Sequence, residues 1–252
     1  MRLFILIFVF LCGPIGWTKT ISVHGHRGAR AFRPENTISA FKYALEVGVD
    51  VLEMDLGVTK DGVLILQHDP YIDNTICLDG KKKIKSQIPV ASLSLEEIKK
   101  MDCGSLINPK FKTQVLQPGE KIPTLKEVFE FVKASDIDTA KKVEFNIETK
   151  IVPTEPELTP SPKKFAELLV NEIRRAGMVE RSIVQSFDHR TLYWVKKLEP
   201  KIRTSQLTGG SMVDLVAAAK GIRRNLSRLI DGLVKIWCRG CTRKYSSGTM
   251  DG

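Results

Sequence analysis

A dense group of potentially reactive side chains lies between residues 23 and 69. It contains an imidazole beside a guanidinium, His26 and Arg27, and a Glu-x-Asp pair, Glu53 and Asp55. Imidazole titrates near neutral pH and suits acid–base catalysis. Carboxylate oxygens suit Ca²⁺ or Mg²⁺, and the guanidinium fork binds phosphoryl oxygens. Hydrolysis of a phosphodiester requires all three kinds of group.

Three further candidates complete this set. His68 ends the same run, while Glu148 and Lys150 lie in a later apolar segment. We expect the two histidines to be the acid–base pair, the three carboxylates to bind one divalent cation, Ca²⁺ or Mg²⁺, and the two cationic side chains to hold the phosphate. The acid–base candidates are His26 and His68, the metal-ligand candidates are Glu53, Asp55 and Glu148, and the phosphate-binding candidates are Arg27 and Lys150.

The elements that carry these residues alternate between strand and helix. Strands are predicted over residues 21–24, 49–58, 63–67, 143–148, 182–187 and 203–207. Helices are predicted from Pro34-Glu35-Asn36-Thr37 to Gly48, from Thr124, and over residues 163–176, 189–198 and 213–220. Residues 70–123 have no long period, so we expect an insertion there, with one short helix capped by Ser94.

This alternation favours parallel βα units. Because side chains alternate along a strand, Glu53 and Asp55 share one face. The candidate residues lie toward the carboxyl ends of the predicted strands, where a (β/α)₈ barrel has its active site. A doubly wound sheet also binds ligands at strand ends, but the chain has no GxGxxG motif.

Five segments resemble the glycerophosphodiester phosphodiesterase family. They are HRGARAFRPENTISAF, EMDLGVTKDGVLILQHD, IPTLKEVFEF, FNIETK and SFD, in that order, within residues 24–207. The resemblance implies an α/β TIM barrel with a small insertion after the third strand. It also implies the roles given above for the seven candidates, while Glu35 and Asn36 belong to the motif and are interpreted as a helix start that supports the loop of His26.

The implied reaction is the metal-dependent hydrolysis of deacylated phospholipids, such as glycerophosphocholine, to sn-glycerol 3-phosphate and an alcohol. Two alternatives remain open at this point. A lysophospholipase D would use the same barrel on lipid-like diesters and would need an apolar substrate groove. A non-catalytic binding protein would keep the motifs without turnover.

The amino terminus has the pattern of a secretory signal over about residues 1–18. Met1-Arg2 precedes an apolar run, residues 3–12, which is shorter than the roughly 20 residues that cross a membrane. We therefore expect a secreted or periplasmic protein, with an uncleaved anchor as the alternative and as the one route to a membrane.

Cys77 and Cys103 could pair in an oxidising compartment. The formal net charge of +10 does not predict nucleic-acid binding, because aromatic side chains do not interleave the basic patches. Oligomeric state is not predicted.

The resemblance stops after residue 220, and residues 221–252 form a basic tail. The count of six predicted strands therefore indicates a truncated barrel, with exposed sheet edges and impaired stability and activity expected. Shifting the codons of Met250-Asp251 by one nucleotide yields Trp, as the family pattern has near its end. We hypothesise that the tail is out of frame, which the coding DNA would test.

Overall fold

The computed structural model describes residues 21–208 and the backbone of residues 235–238. The strands are β1 (His24–Gly25), β2 (Val51–Val58), β3 (Leu64–Leu66), β4 (Leu78–Asp79), β5 (Lys82–Lys83), β6 (Met101–Asp102), β7 (Glu144–Thr149), β8 (Ser182–Ser186), β9 (Arg203–Thr208) and β10 (Lys235–Cys238). The α-helices of this part are α1 (Ile38–Val47), α2 (Leu95–Ile98), α3 (Leu125–Ala134), α4 (Pro162–Arg175) and α5 (His189–Leu198).

The main sheet has the strand order β1-β2-β7-β8-β9-β10, and every neighbouring pair in this order is parallel. Alternate residues of these strands face the helices, where Met54, Phe145 and Val184 are fully buried in the main core. The other face carries the polar candidates Glu53 and Asp55. This arrangement is the parallel βα architecture that the sequence predicts, and it matches part of a barrel.

The helices begin and end where local chemistry satisfies their free backbone groups. The Thr37 side chain accepts a hydrogen bond from the N–H of Ala40 at the start of α1, and Gly48 ends that helix with a left-handed φ of 89°. Thr124 and Glu127 form a capping box at the start of α3. Their buried faces then pack on the sheet, as in the edge-to-face contact of Phe129 with Phe145 at 4.9 Å between ring centroids.

Two predicted strands differ from the structure. The strand predicted over residues 63–67 is β3, which pairs antiparallel with β2 rather than as a parallel barrel strand. The turn before it ends at Gly62, with a φ of 79°, and a parallel return would need a crossover of a dozen or more residues. The strand predicted over residues 21–24 is limited to β1 at His24–Gly25.

Residues 70–123 form a small subdomain, which we call the insertion. Its sheet has the order β5-β4-β6, and its own apolar core includes Ile72, Ile98 and Met101. Cys77 and Cys103 form a disulfide inside this core. The helix predicted from Leu95 ends after one turn at Ile98, and Met101 already belongs to β6.

The strand β10 lies in the tail, where the sequence was not predicted to continue the sheet. It pairs in parallel with β9, from Lys235 opposite Ser205 to Cys238 opposite Thr208. A strand of four residues is too short to show a period in the sequence. The predicted signal segment, the helix predicted at 213–220 and the remainder of the tail lie outside the described residues. Within the described residues, no helix has the length and apolar character needed to cross a membrane.

Candidate active site

The pairing of β2 with β7 brings the three carboxylates together. Asp55 lies opposite Glu148 in the parallel register, and Glu53 precedes Asp55 by two residues on the same face. One oxygen from each of the three side chains lies within 4.8 Å of the others, and all three residues are buried. Three crowded carboxylate oxygens suit a hard divalent cation, so the donor set predicted from the sequence fits such an ion.

Two cationic side chains flank these carboxylates, the buried Arg27 and the partly buried Lys150. Arg27 Nε lies 3.0 Å from Asp55 Oδ2, and Lys150 Nζ lies 3.0 Å from Asp55 Oδ1. Lys150 Nζ also donates to Glu148 Oε1 at 2.5 Å. Asp55 and Glu148 are therefore held by opposite charges. The side chains of Arg27 and Lys150 lie where they can also contact an anionic group.

The same surroundings separate the acidities of the carboxyl groups. Burial, together with the nearby charge of Asp55, raises the pKa of Glu53 to about 8. Burial also acts to raise the pKa of Asp55, but Lys150 and Arg27 outweigh it and lower that pKa to about 2. Burial raises the pKa of Glu148, against the opposing effect of Lys150. The cluster therefore favours a form in which Asp55 is ionised.

The two candidate histidines lie at the border of this cluster. His26 follows β1, and its Nε2 is 3.7 Å from Glu53 Oε2. His68 follows β3, and its Nδ1 forms a 2.7 Å hydrogen bond with Asp69 Oδ1. Their side chains retain 35% and 23% of their exposure, whereas the carboxylates are almost fully covered. Both imidazoles are therefore accessible from solvent while remaining beside the buried charges.

The loop after β1 is fixed by residues with unusual backbone geometry. Arg27 and Asn36 have left-handed φ values of 51° and 56°. The Asn36 amide donates to Asp55 Oδ2 at 3.1 Å and accepts from the Asp55 N–H at 3.4 Å. Glu35 Oε1 accepts a 2.5 Å hydrogen bond from an Arg27 Nη atom.

The interpretation of Glu35 and Asn36 as a helix start therefore needs correction, because Thr37 is the residue that caps α1. Asn36 instead connects the loop directly to Asp55, while Glu35 bonds Arg27, which itself contacts Asp55. A left-handed Asn is tolerated better than most residues, and this conformation is not evident from a Pro-Glu-Asn-Thr sequence. His189 is exposed at the start of α5.

Two buried amides in the site were not identified from the sequence. Gln185 Nε2 donates to Glu53 Oε1 at 3.0 Å, and Asn146 Nδ2 donates to Gln185 Oε1 at 2.9 Å. A signal for them does exist, since each is a polar residue at a buried, inward-facing position of its strand. Such a position usually has a hydrogen-bonding reason.

Comparisons with known proteins identify the family of this chain. A family model described as the glycerophosphoryl diester phosphodiesterase family matches residues 26–222. The chain belongs to this family. A glycerophosphodiester phosphodiesterase from Caldanaerobacter subterraneus is 37% identical over 196 residues, which are 78% of this chain and 70% of that protein.

Two solved structures share the fold of this chain. One, assigned to the glycerophosphoryl diester phosphodiesterases of Silicibacter pomeroyi, has a TM-score of 0.75 at 24% identity, covering 87% of this chain and 83% of that one. The other is an Oleispira antarctica phosphodiesterase in complex with the product sn-glycerol-3-phosphate. It has a TM-score of 0.64 at 19% identity and covers 88% of this chain and 85% of that one. The TIM-barrel fold class is thereby confirmed.

Proposed function

We propose that this chain hydrolyses glycerophosphodiesters to sn-glycerol 3-phosphate and an alcohol. The observation that carries the proposal is the single cluster formed by three carboxylates, two cationic side chains and two partly exposed imidazoles. The names of the relatives support the same reaction class, and the product held by the Oleispira antarctica enzyme supports a small phosphorylated substrate.

Each group has a distinct task in this reaction. Glu53, Asp55 and Glu148 would hold one divalent cation, Ca²⁺ or Mg²⁺, which when bound neutralises phosphoryl charge and makes a coordinated oxygen more acidic. Arg27 and Lys150 would contact the phosphoryl oxygens, since both already lie against Asp55. The cationic side chains then stabilise the charge that develops as the phosphorus is attacked.

The two histidines would transfer the protons. One removes a proton from the attacking oxygen, and the other donates a proton to the alcohol oxygen as its bond to phosphorus breaks. Because His68 Nδ1 bonds Asp69, we assign proton exchange with the substrate to the opposite ring nitrogen, Nε2. His26 lies beside Glu53, on the side of the cluster that faces β1.

We further propose that the protein works in an oxidising compartment, secreted or periplasmic. The buried disulfide between Cys77 and Cys103 supports this location, because such bonds are rare in the reducing cytosol. A small-molecule diester is the proposed partner, with no nucleic acid. Contact with a membrane would be made only through an uncleaved amino-terminal segment.

One observation favours a second candidate function, lysophospholipase D activity. A cavity of about 500 Å³ with a mainly apolar lining begins at His26 and extends along α1. Phe32, Tyr43, Val47 and Phe111 are among its lining residues. An acyl chain in this cavity would leave the phosphodiester near His26. The sequence alone showed no such groove.

The test is release of glycerol 3-phosphate from glycerophosphocholine by the purified full chain. Calcium and magnesium are each compared with EDTA, and His26→Ala and His68→Ala are compared with His189→Ala, a matched exposed histidine on α5. We expect metal-dependent release that falls at least about 100-fold in the two site variants and stays unchanged in the control. Equal loss in His189→Ala, or release that survives both site variants, would contradict the assignment.

A second arm separates the two candidate functions. Release of choline from lysophosphatidylcholine is measured beside release from glycerophosphocholine, for the wild-type chain and for Phe32→Ala. Lysophospholipase D activity predicts a higher rate on the lysolipid and a selective loss of that rate in the variant. Turnover of glycerophosphocholine alone, unaffected by Phe32→Ala, assigns the chain to the glycerophosphodiester reaction.

A further inference from the structure

The carboxylate of Glu53 is held differently from the other two carboxylates of the site. Asp55 and Glu148 contact the charged side chains of Arg27 and Lys150. Glu53 instead accepts two hydrogen bonds from neutral donors. The main-chain N–H of Arg27 bonds Oε2 at 2.8 Å, and Gln185 Nε2 bonds Oε1 at 3.0 Å.

The orientation of the Gln185 amide is itself fixed from the neighbouring strand. Asn146 Nδ2 donates to Gln185 Oε1 at 2.9 Å, so the second end of this amide is also occupied. As a ligand of a divalent cation Glu53 is ionised, and an ionised carboxylate accepts but cannot donate. Gln185 must therefore direct its NH₂ group toward Glu53 and its oxygen toward Asn146, and Asn146 must direct its own NH₂ group toward Gln185.

With the amides in these directions, the side-chain oxygen of Asn146 has no donor to accept from in the described part of the chain. Asn146 Oδ1 is buried and has no hydrogen-bond partner among the described residues. Leaving an acceptor unpaired is costly, but reversing the Asn146 amide would turn its oxygen toward Gln185 Oε1, where two acceptors would face each other. Asn146 Nδ2 also lies 3.5 Å from His24 Nδ1. We call the hydrogen bonds from Asn146 to Gln185 and from Gln185 to Glu53 the relay. Its direction is maintained although the buried Asn146 Oδ1 has no hydrogen-bond partner among the described residues.

The register of the sheet places the relay within the site. Asn146 lies directly opposite Glu53 in the pairing of β2 with β7, and Gln185 lies opposite Glu148 in the pairing of β7 with β8. Glu53, Asn146 and Gln185 are all at least nine-tenths buried. Side chains in such surroundings have little freedom to rotate, so the relay can fix the position of a carboxylate that would otherwise be repelled by its two neighbours.

We propose that Gln185 and Asn146 are positioning residues that set the affinity of the carboxylate cluster for its divalent cation. Gln185 acts by orienting Glu53, and Asn146 acts only through Gln185. This inference rests on the proposed function to the extent that the cluster binds a cation. Partners that orient a ligand from behind commonly change metal affinity 10- to 100-fold when they are removed.

The test measures cation binding rather than catalysis. Calcium and magnesium are titrated calorimetrically into the full chain and into Gln185→Leu, Asn146→Leu and the double variant. The matched control is Gln206→Leu, a buried glutamine of β9 that faces the opposite side of the sheet, because it pairs with Ser186 rather than with Gln185. Thermal unfolding of each variant shows whether the fold is retained.

We expect Gln185→Leu to raise the dissociation constant 10- to 100-fold and Gln206→Leu to change it less than twofold. Asn146→Leu should weaken binding no more than Gln185→Leu, and the double variant should bind as Gln185→Leu does. Unchanged affinity in Gln185→Leu, or additive effects in the double variant, would overturn the relay while leaving the cation site in place. Absence of binding by the wild-type chain would instead refute the cation site of the proposed function, and the relay with it.

Discussion

The barrel interior holds the carboxylate of Glu53 in buried surroundings, whereas the insertion holds that of Asp102 partly exposed, and the two are stabilised in opposite ways. In the barrel, Glu53 lies among like charges, and burial raises its pKa to about 8. In the insertion, Asp102 accepts hydrogen bonds from the backbone N–H groups of Gly104, Ser105 and Gly119, and these donors outweigh burial and lower its pKa. The surroundings of Glu53 disfavour its ionised form until a bound cation offsets the repulsion, while the surroundings of Asp102 stabilise its ionised form within the fold.

The supporting scaffolds differ in the same direction. The barrel residues are held by parallel strands whose outer faces share one large core. The insertion has a small core of its own, closed by the disulfide of Cys77 with Cys103. The comparison indicates that chemistry is concentrated where the backbone is most constrained. The insertion begins two residues after His68.

The largest expected effect is that of Asp55→Asn in the barrel. Removing this charge leaves Arg27 and Lys150 without their shared buried partner. Breaking a buried ion pair on one side costs about 3–5 kcal/mol. We expect a loss of this size in the free energy of unfolding in urea, together with loss of diesterase activity. Asp136→Asn, at an exposed aspartate, is the control, and an equal stability for the two variants would show that the cluster is not an interdependent charge network.

The next effect concerns the insertion alone. Replacing Cys77 and Cys103 together by Ala opens a loop with a sequence separation of 26. Closing a loop of this length stabilises a fold by about 2–4 kcal/mol. We expect faster amide hydrogen exchange throughout residues 70–123 and unchanged protection in β2 and β7. Uniformly faster exchange in both regions would mean that the insertion and the barrel unfold as one cooperative unit, which would contradict their independent stability.

The pH dependence of stability should have opposite signs in the two regions. The folded pKa of Glu53 is raised, so in cation-free protein its contribution is complete below the unfolded pKa of about 4.3 and is lost as pH rises through about 8. Glu53→Gln should remove this loss. Unfolding free energies measured from pH 5 to 9 in EDTA would test it, and the same slope in wild type and variant would contradict the expected proton uptake.

The folded pKa of Asp102 is lowered, so its contribution is present above the unfolded pKa of about 3.9 and is lost as pH falls through the folded value. Asp102→Asn should therefore weaken the insertion at neutral pH and flatten its acid response. Amide exchange of residues 101–119 at pH 3 and pH 7 is the measurement. A variant that keeps the wild-type difference between the two pH values would show that other groups control acid opening.

Local sequence signals predicted most of the elements but not the contacts between them. Alternation along β2 placed Glu53 and Asp55 on one face, and the bounds of α5 were predicted correctly, because both depend on residues close in sequence. The antiparallel direction of β3 was missed even though its short turn could have indicated it. The Gln185 relay joins residues 132 positions apart, and that depends on strand register, which no local pattern encodes.

The smallest expected effect uses the same chemistry in both regions. Ser94 begins α2 of the insertion with a capping box, and Thr124 begins α3 of the barrel with another. Each change to Ala should cost about 1 kcal/mol. Thr124 lies where the regions join, because Lys99 of the insertion donates to the capping carboxylate of Glu127 and the Leu66 N–H of β3 bonds Pro123.

We therefore expect Thr124→Ala to lower the free energy of unfolding of the whole chain, while Ser94→Ala increases exchange only within the insertion. Urea unfolding followed by circular dichroism reports the first effect, and amide exchange reports the second. If both variants lower the global transition equally, the insertion contributes to the stability of the barrel rather than merely attaching to it. His68, at the junction, would then depend on the folding of both regions.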